Sequence, residues 1–243
     1  MRALTLSLAL GLALPAAADD SPKAVIEKAV KAHGGADLLA KFTAQRTTHK
    51  GTITVSGMES EVTVTSLTQY PGKRKLDGTI SLGGMELKVK QLLSGDKLTV
   101  TLNGMPFPVK DEQVTSEQDE LYAESLTRLV PLLKGDEYTL KAGPEVAVDG
   151  DPAVAVVVEH AKHKPVTLAF SKTSGLLVRL GYKGTDEGME VQKETTYSNH
   201  KAVQGVQVPH TEAGTKDGKK DSALTLEKVE LLEKADDGEF VLE

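Results

Sequence analysis

The residues that could do chemistry in this chain are few and scattered. Glu159, His160 and His163 lie in the run EHAKHK and bring two imidazoles to an i, i+3 spacing, a fragment of a metal site. A zinc site needs about four convergent ligands, and no second His or Cys cluster accompanies this one. On a strand that spacing sends the two rings to opposite faces, so the segment between Val158 and Pro165 reads as a charged, solvated turn and no metal is expected. Nucleophilic catalysis fares no better. The chain has no Cys, and its serines stand in no Gly-x-Ser-x-Gly elbow. Gly83-Gly84 is followed by no Lys-Ser or Lys-Thr and makes no phosphate loop. The acid pairs Asp19-Asp20, Asp111-Glu112 and Asp236-Asp237 fall at ends and loops, where carboxylates face water, and no apolar cleft is located that would tune a catalytic pair. Lys73-Arg74-Lys75 is a short basic run that would either touch anionic headgroups or guard an exposed edge strand. These residues specify no catalytic site and no cofactor, and the chain reads as a non-enzyme.

The elements that would have to position any site are mostly strands. Ser21 can cap a helix that opens on Pro22 and stops at Gly34-Gly35, with Ala24, Val25, Ala29 and Ala32 on one apolar face. A short turn, Ala36 to Ala40, leads through Phe42 into a region of period two. Strands are expected over 48–55, 61–68, 73–80, 85–92 and 98–102, joined by turns such as Tyr70-Pro71-Gly72 and Gly95-Asp96. The block 116–133 carries Leu121, Leu126, Leu129 and Val130 at helical spacing and predicts a second helix ending near Pro131. Strands resume over 137–141, 153–159, 165–171, 176–181, 189–197, 206–211 and 222–231. The even spacing gives no linker. The expected fold class is mainly β with α+β character: a strongly curved, incompletely closed antiparallel sheet of about eleven strands covered by helices, a half-barrel. Such a sheet has an inner face that the helices must cover. Beneath them lies either a packed core, the simpler arrangement, or an apolar cavity.

The N-terminus has its own logic. Arg2 is the only early charge, Leu4 to Leu14 is apolar, and Pro15-Ala16-Ala17-Ala18 precedes Asp19-Asp20, the order of a cleavable secretory signal. The apolar run is shorter than the roughly twenty residues that span a bilayer. Residues 1–18 are therefore expected to be removed after Ala18, leaving 19–243 as a single exported domain, periplasmic or secreted and not lipidated. Losing Arg2 leaves 28 basic against 35 acidic residues, a formal charge of −7. So acidic a chain is a poor binder of nucleic acid. An exported chain without Cys must hold its fold by burial alone.

Several short stretches resemble the LolA-like and LolB-like periplasmic lipoprotein-carrier superfamily. They are the opening helix with His33-Gly34-Gly35, the Tyr70-Pro71-Gly72-Lys73 turn, and Leu168-Ala169-Phe170 followed by Ser171-Lys172-Thr173-Ser174-Gly175-Leu176. The segment from Tyr197 through Gly205-Val206 to Pro209 and the closing Asp236-Asp237-Gly238-Glu239-Phe240 complete the likeness, which spans nearly the whole mature chain. The resemblance implies a curved sheet whose concave face holds acyl chains of lipids or lipoproteins. This chain departs from the best-known carriers in having no Trp and only nine Phe and Tyr residues.

On that resemblance the protein is a soluble, non-catalytic periplasmic binding protein for lipid, lipoprotein acyl chains or another apolar ligand. Its partners are a lipid or a lipidated protein, with transient contacts to a membrane surface or an envelope protein, and it is expected to be a monomer. Met58, Met85, Leu87, Leu92 and Met105 are the candidate lining, since Met and aliphatic side chains adapt to flexible cargo. The alternative is an envelope structural or protein-interaction module with a filled core and no ligand.

Overall fold

A computed structural model describes residues 21–186 and 188–242; the proposed signal segment lies outside the described residues. The chain begins with helix α1 (Pro22–Ala32), capped by the Ser21 side chain accepting from the Ala24 N–H, and a short α2 (Ala36–Lys41). Between them His33 joins three elements. Its Nδ1–H donates to the Ala29 carbonyl at 2.8 Å, its Nε2 accepts from the Leu177 N–H at 3.3 Å, and its own carbonyl accepts from the Gln207 N–H at 3.1 Å. Gly34 follows at φ 119°, and a Cβ there would stand 2.5 Å from the Gly205 carbonyl oxygen. No other residue type fits that approach.

Six strands then run as successive hairpins: β1 (Ala44–Val55), β2 (Met58–Gln69), β3 (Lys73–Leu82), β4 (Met85–Ser94), β5 (Lys97–Leu102) and β6 (Met105–Phe107). Helix α3 (Asp111–Ser125) follows, its first turn carrying Asp111 and Glu112, where carboxylates complement the helix dipole, and the Gln113 side chain accepting from the Lys110 N–H. After it come two 3₁₀ turns, Leu126–Arg128 and Val130–Leu133. The remaining strands are β7 (Tyr138–Val148), β8 (Asp151–His160), β9 (His163–Ser171), β10 (Leu177–Asp186), β11 (Met189–Ser198), β12 (Lys201–Val203), β13 (Val206–Val208), β14 (Thr211–Lys216) and β15 (Lys219–Leu232).

Thirteen of these form one antiparallel sheet in the order β6-β5-β4-β3-β2-β1-β15-β14-β11-β10-β9-β8-β7, and β12 and β13 make a separate ribbon. The two ends, β6 and β7, do not pair, so the curved sheet is an unclosed half-barrel. The first strand of the meander pairs with the last, from Ala44↔Leu232 to Ile53↔Ser222. That pairing joins the two limbs at the centre of the sheet.

Three details differ from the sequence expectation. The sheet has thirteen strands rather than about eleven, a short β6 extending one edge; the expected strand over 206–211 is broken around Pro209, which has no N–H to give a ladder, into β13, which joins the separate ribbon, and β14, which stays in the sheet. The second helix begins at Asp111 and ends at Ser125, short of Pro131, because Leu129 takes φ 59° and interrupts the helical path. Lys73-Arg74-Lys75 lies on β3, an interior strand, so it guards no edge.

The main core fills one end of the half-barrel. Val25, Ile26, Ala29 and Val30 of α1, Leu39 of α2, and Leu126, Leu129, Val130 and Leu132 of the 3₁₀ turns pack against Val156, Leu168, Phe170 and Leu180. A smaller cluster sits on the convex face, where Ala235 and Phe240 of the C-terminal segment cover Ala44 and Leu67. Among the described residues no helix is long and apolar enough to cross a membrane.

Candidate functional site: a graded hollow under a strapped helix

Cross-strand partners share a face of the sheet, so the register assigns every side chain of the central strands. Gln45, Thr47, His49 and Ile53 of β1 share the concave face with Thr68, Ser66, Val64 and Val62 of β2 and with Arg74, Leu76 and Ile80 of β3. Along each strand the inward residues change from polar beside the helix-filled end to aliphatic toward the other rim. On β2 the buried Ser60, opposite Ile53, is the polar exception near the far rim.

These residues line two adjoining hollows, of about 280 and 380 Å³, that share Val64, Leu76, Glu124, Tyr197, Glu212 and Leu224. The first, against the helices, is edged by Tyr70, Arg128, His200 and His49. The second is walled on one side by Ile53, Val62, Ile80, Val89 and Leu180 and on the other by charged groups, Glu120, Lys193, Glu194 and Asp221 among them. The sheet is too wide for its helices to fill, and the concave face stays open between them. The packed-core arrangement holds at one end only.

Helix α3 covers the concavity. It touches β4 and β5 on one limb and β9 and β10 on the other. What binds it down is mainly charge. Arg74, 7 % exposed, reaches up from β3 to Glu117 at 2.6 Å, Glu120 at 3.0 Å and Glu124 at 3.0 Å, three carboxylates of α3. From the opposite limb Lys193 of β11 meets Glu120 at 3.3 Å. Burial acts to raise the Glu120 carboxyl, yet Arg74 and Lys193 together hold it down at about 2. For Glu124 burial is the larger effect, opposed by Arg74 and reinforced by the neighbouring carboxylates, and its pKa is pushed up to about 7. Burial opposes the charge on Arg74, but the three carboxylates hold its guanidinium firmly protonated.

The floor of the hollow carries further polar groups. Burial pushes the Tyr70 and Tyr197 hydroxyls up, and lowers His200 to about 4, with nearby His33 adding to the shift. Tyr70 Oη accepts from Gln45 Nε2 at 3.0 Å. His49 Nε2 faces Glu212 at 3.6 Å. His200 Nε2 is buried without a hydrogen-bond partner.

The residues singled out from the sequence are not brought together. Met58, Met85 and Met105 are 54 %, 72 % and 69 % exposed, each the first strand residue after a hairpin turn. They stand at the open rim, as does Met189 at 65 % exposure, and not in the wall of either hollow. Leu87 pairs with Ile80 and shares its concave face. Leu92 pairs with Lys75 and faces the convex side, packed against the cluster of Ala44, Leu67, Ala235 and Phe240. The sequence reading missed Arg74, Arg128 and the acids of α3.

His160 and His163 are also placed differently from the expectation. They are cross-strand partners flanking the β8–β9 turn, so their rings share a face at 5.2 Å, and Tyr122 of α3 stacks on His163 at 3.7 Å. The segment is a seat for the strap helix. Among the described residues no group of three His, Asp or Glu side chains is arranged to hold a metal ion.

No protein-family model and no curated protein matches the chain. Solved structures do. A LolA superfamily protein from Nitrosomonas europaea is 13% identical and superposes with a TM-score of 0.58 over 91% of this chain and 97% of its own. A putative outer membrane lipoprotein-sorting protein domain from Vibrio parahaemolyticus is 10% identical, TM-score 0.51, over 90% and 95%. A DUF1329 family protein from Desulfovibrio piger is 14% identical, TM-score 0.52, over 90% and 96%. At such identities the likeness speaks for architecture: an unclosed, curved antiparallel sheet strapped by a helix, the fold of the LolA superfamily.

Proposed function

We propose that this protein is an exported, non-catalytic carrier that shelters an apolar molecule, a lipid or the acyl chains of a lipoprotein, in the concave face of its half-barrel. The observation that carries this reading is the aliphatic wall of Val62, Val64, Leu76, Ile80, Val89 and Leu224 around an unfilled hollow beneath α3. An unfilled apolar cavity forgoes dispersion contacts on one side, and a bound acyl chain restores them while burying methylenes worth roughly 0.8 kcal/mol each. The exposed methionines at the rim offer a soft, adaptable lip over which such a chain passes. Residues 1–18 act as the signal that delivers a domain of residues 19–243 to the periplasm, where it works as a monomer on a lipid or lipidated partner. The lipoprotein-sorting description of the Vibrio parahaemolyticus domain supports the setting.

Solvent extraction and native mass spectrometry of protein taken from its own envelope should recover near-stoichiometric acyl chains. N-terminal sequencing of the same sample should begin at Asp19. A protein that comes out clean and shows no saturable site for an apolar fluorescent probe sinks the carrier reading.

A further inference from the structure

Among the described residues one cation lining the hollow has no carboxylate beside it. Arg128 sits in the first 3₁₀ turn and is half-buried, where a guanidinium is costly. Its Nη2 donates to the Leu39 carbonyl at 3.0 Å and its guanidinium lies over the Tyr70 ring at 5.7 Å. Among the described residues no carboxylate comes within 4.0 Å of it, although it and the acids Glu124 and Glu212 line the same hollow. Glu124 is engaged with Arg74, and Glu212 faces His49 Nε2 at 3.6 Å, a pair charged on both sides only when the imidazole is protonated. Arg74, by contrast, is neutralised by three carboxylates. A second unsatisfied group, His200 Nε2, belongs to the same floor. A buried cation is normally paired, and a guanidinium is shaped for bidentate contact with an oxyanion.

The floor therefore offers the Arg128 fork beside Tyr70 and His200, and past Glu124 and Glu212 a channel leads away whose aliphatic side is Val64, Leu76, Ile80 and Val89. From the level of Gln45 to that of Ile53 a strand rises roughly 26 Å, room for an extended acyl chain. We propose that the hollow takes a free fatty acid, head inward, with its carboxylate on Arg128 and its chain running past Val64 and Leu76 toward the methionine rim. This rests on the carrier reading and narrows it. A lipidated protein has its bulky polar part at the head of its acyl chains and cannot place that part at this floor. A free single-chain acid can.

The experiment uses the exported protein freed of co-purified lipid, with palmitate, hexadecanol and methyl palmitate as probes in isothermal titration calorimetry. Palmitate should bind about tenfold or more tightly than the alcohol or the ester. R128Q should lose that preference while binding hexadecanol as the wild type does, and R128K, which keeps the charge but not the fork, should retain part of it. Retained hexadecanol affinity in R128Q also shows that the hollow is intact, so loss of fold cannot mimic the result. Equal affinity for acid and alcohol in the wild type, or an undiminished preference in R128Q, overturns the inference and leaves the carrier reading standing. If none of the probes binds, the carrier reading fails and the inference with it.

Discussion

Arg74 Nη1 lies 3.0 Å from Glu124 Oε1, and this contact, repeated to Glu117 and Glu120, fastens α3 across the mouth of the half-barrel from a strand beneath it. The helix adds little apolar anchorage of its own, since Leu121 and Ala123 are its buried hydrophobic residues. Access to the hollow is therefore governed by a charge cluster more than by packing.

Replacing Arg74 by Met removes the cation shared by three carboxylates, of which Glu120 also meets Lys193. Breaking a buried ionic cluster by deleting one partner costs about 3–5 kcal/mol, so Arg74→Met should lower the urea midpoint substantially. Amide exchange should rise in 111–125 more than in the α1 core. Uniform exchange across both regions would show that Arg74 holds no separate strap.

Glu124 gives the cluster a pH dependence of definite sign. Its carboxyl titrates near 7 in the folded protein against an ordinary value of 4.5, so between those values the folded state keeps a proton that the unfolded chain has lost. Stability from this group is full below about 4.5 and is lost as pH rises toward 7. Glu124→Gln has no such proton to lose. In the difference between the two proteins His33 and His200 cancel, and the variant should gain on the wild type steadily from pH 4.5 to pH 7. Urea midpoints measured at both pH values check this, and a gap that stays constant or narrows contradicts it.

His33 pulls the other way. Burial lowers its pKa against a favourable hydrogen bond from its ring to Ala29, and protonating Nε2 would expel the Leu177 N–H that it accepts. Below pH 6.5 the unfolded chain takes up a proton that the folded one resists, so stability falls as the solution is acidified. His33→Ala should cost about 1–3 kcal/mol at pH 7 for the hydrogen-bonding groups left unpaired. It should also flatten the loss of stability between pH 7 and pH 5, which thermal melts at the two values would reveal. An unflattened profile would assign the acid sensitivity to His200 instead.

Much of this architecture is legible in the residues, and the losses have physical causes. Period two and turn chemistry place most strands because each is half-buried and must alternate. Lys73-Arg74-Lys75 reads as a surface charge run, yet the same alternation sends Lys73 and Lys75 outward to Asp237 and the Glu239 carbonyl and turns Arg74 inward. Arg128 hides because a single charge between apolar residues leaves no pattern. The methionines mislead for a local reason. Met58, Met85, Met105 and Met189 each follow a turn glycine with φ near 80°, at Gly57, Gly84, Gly104 and Gly188. A residue in that position opens a strand at its exposed tip, whatever its hydrophobicity. Neither the composition nor the spacing states how far the helices fall short of filling a thirteen-stranded sheet, and that shortfall makes the hollow.

The hollow itself can be tested with two neighbouring residues. Val64 lines both hollows, and Thr63, beside it on β2, points to the convex face and is exposed. Val64→Trp puts an indole into unfilled space. Overpacking a filled core costs about 1–3 kcal/mol, but here the ring has room and stability should stay within about 1 kcal/mol of the wild type. Binding of an apolar probe should nonetheless weaken by roughly tenfold or more, equivalent to about 1.4 kcal/mol. Thr63→Trp adds the same indole to the other face and should leave binding unchanged. Fluorescence titration of the two variants side by side separates blockage from general perturbation. Equal binding by both would mean that the ligand does not run past Val64, whereas a Val64→Trp protein that is strongly destabilised would mean that the space beneath α3 is already filled.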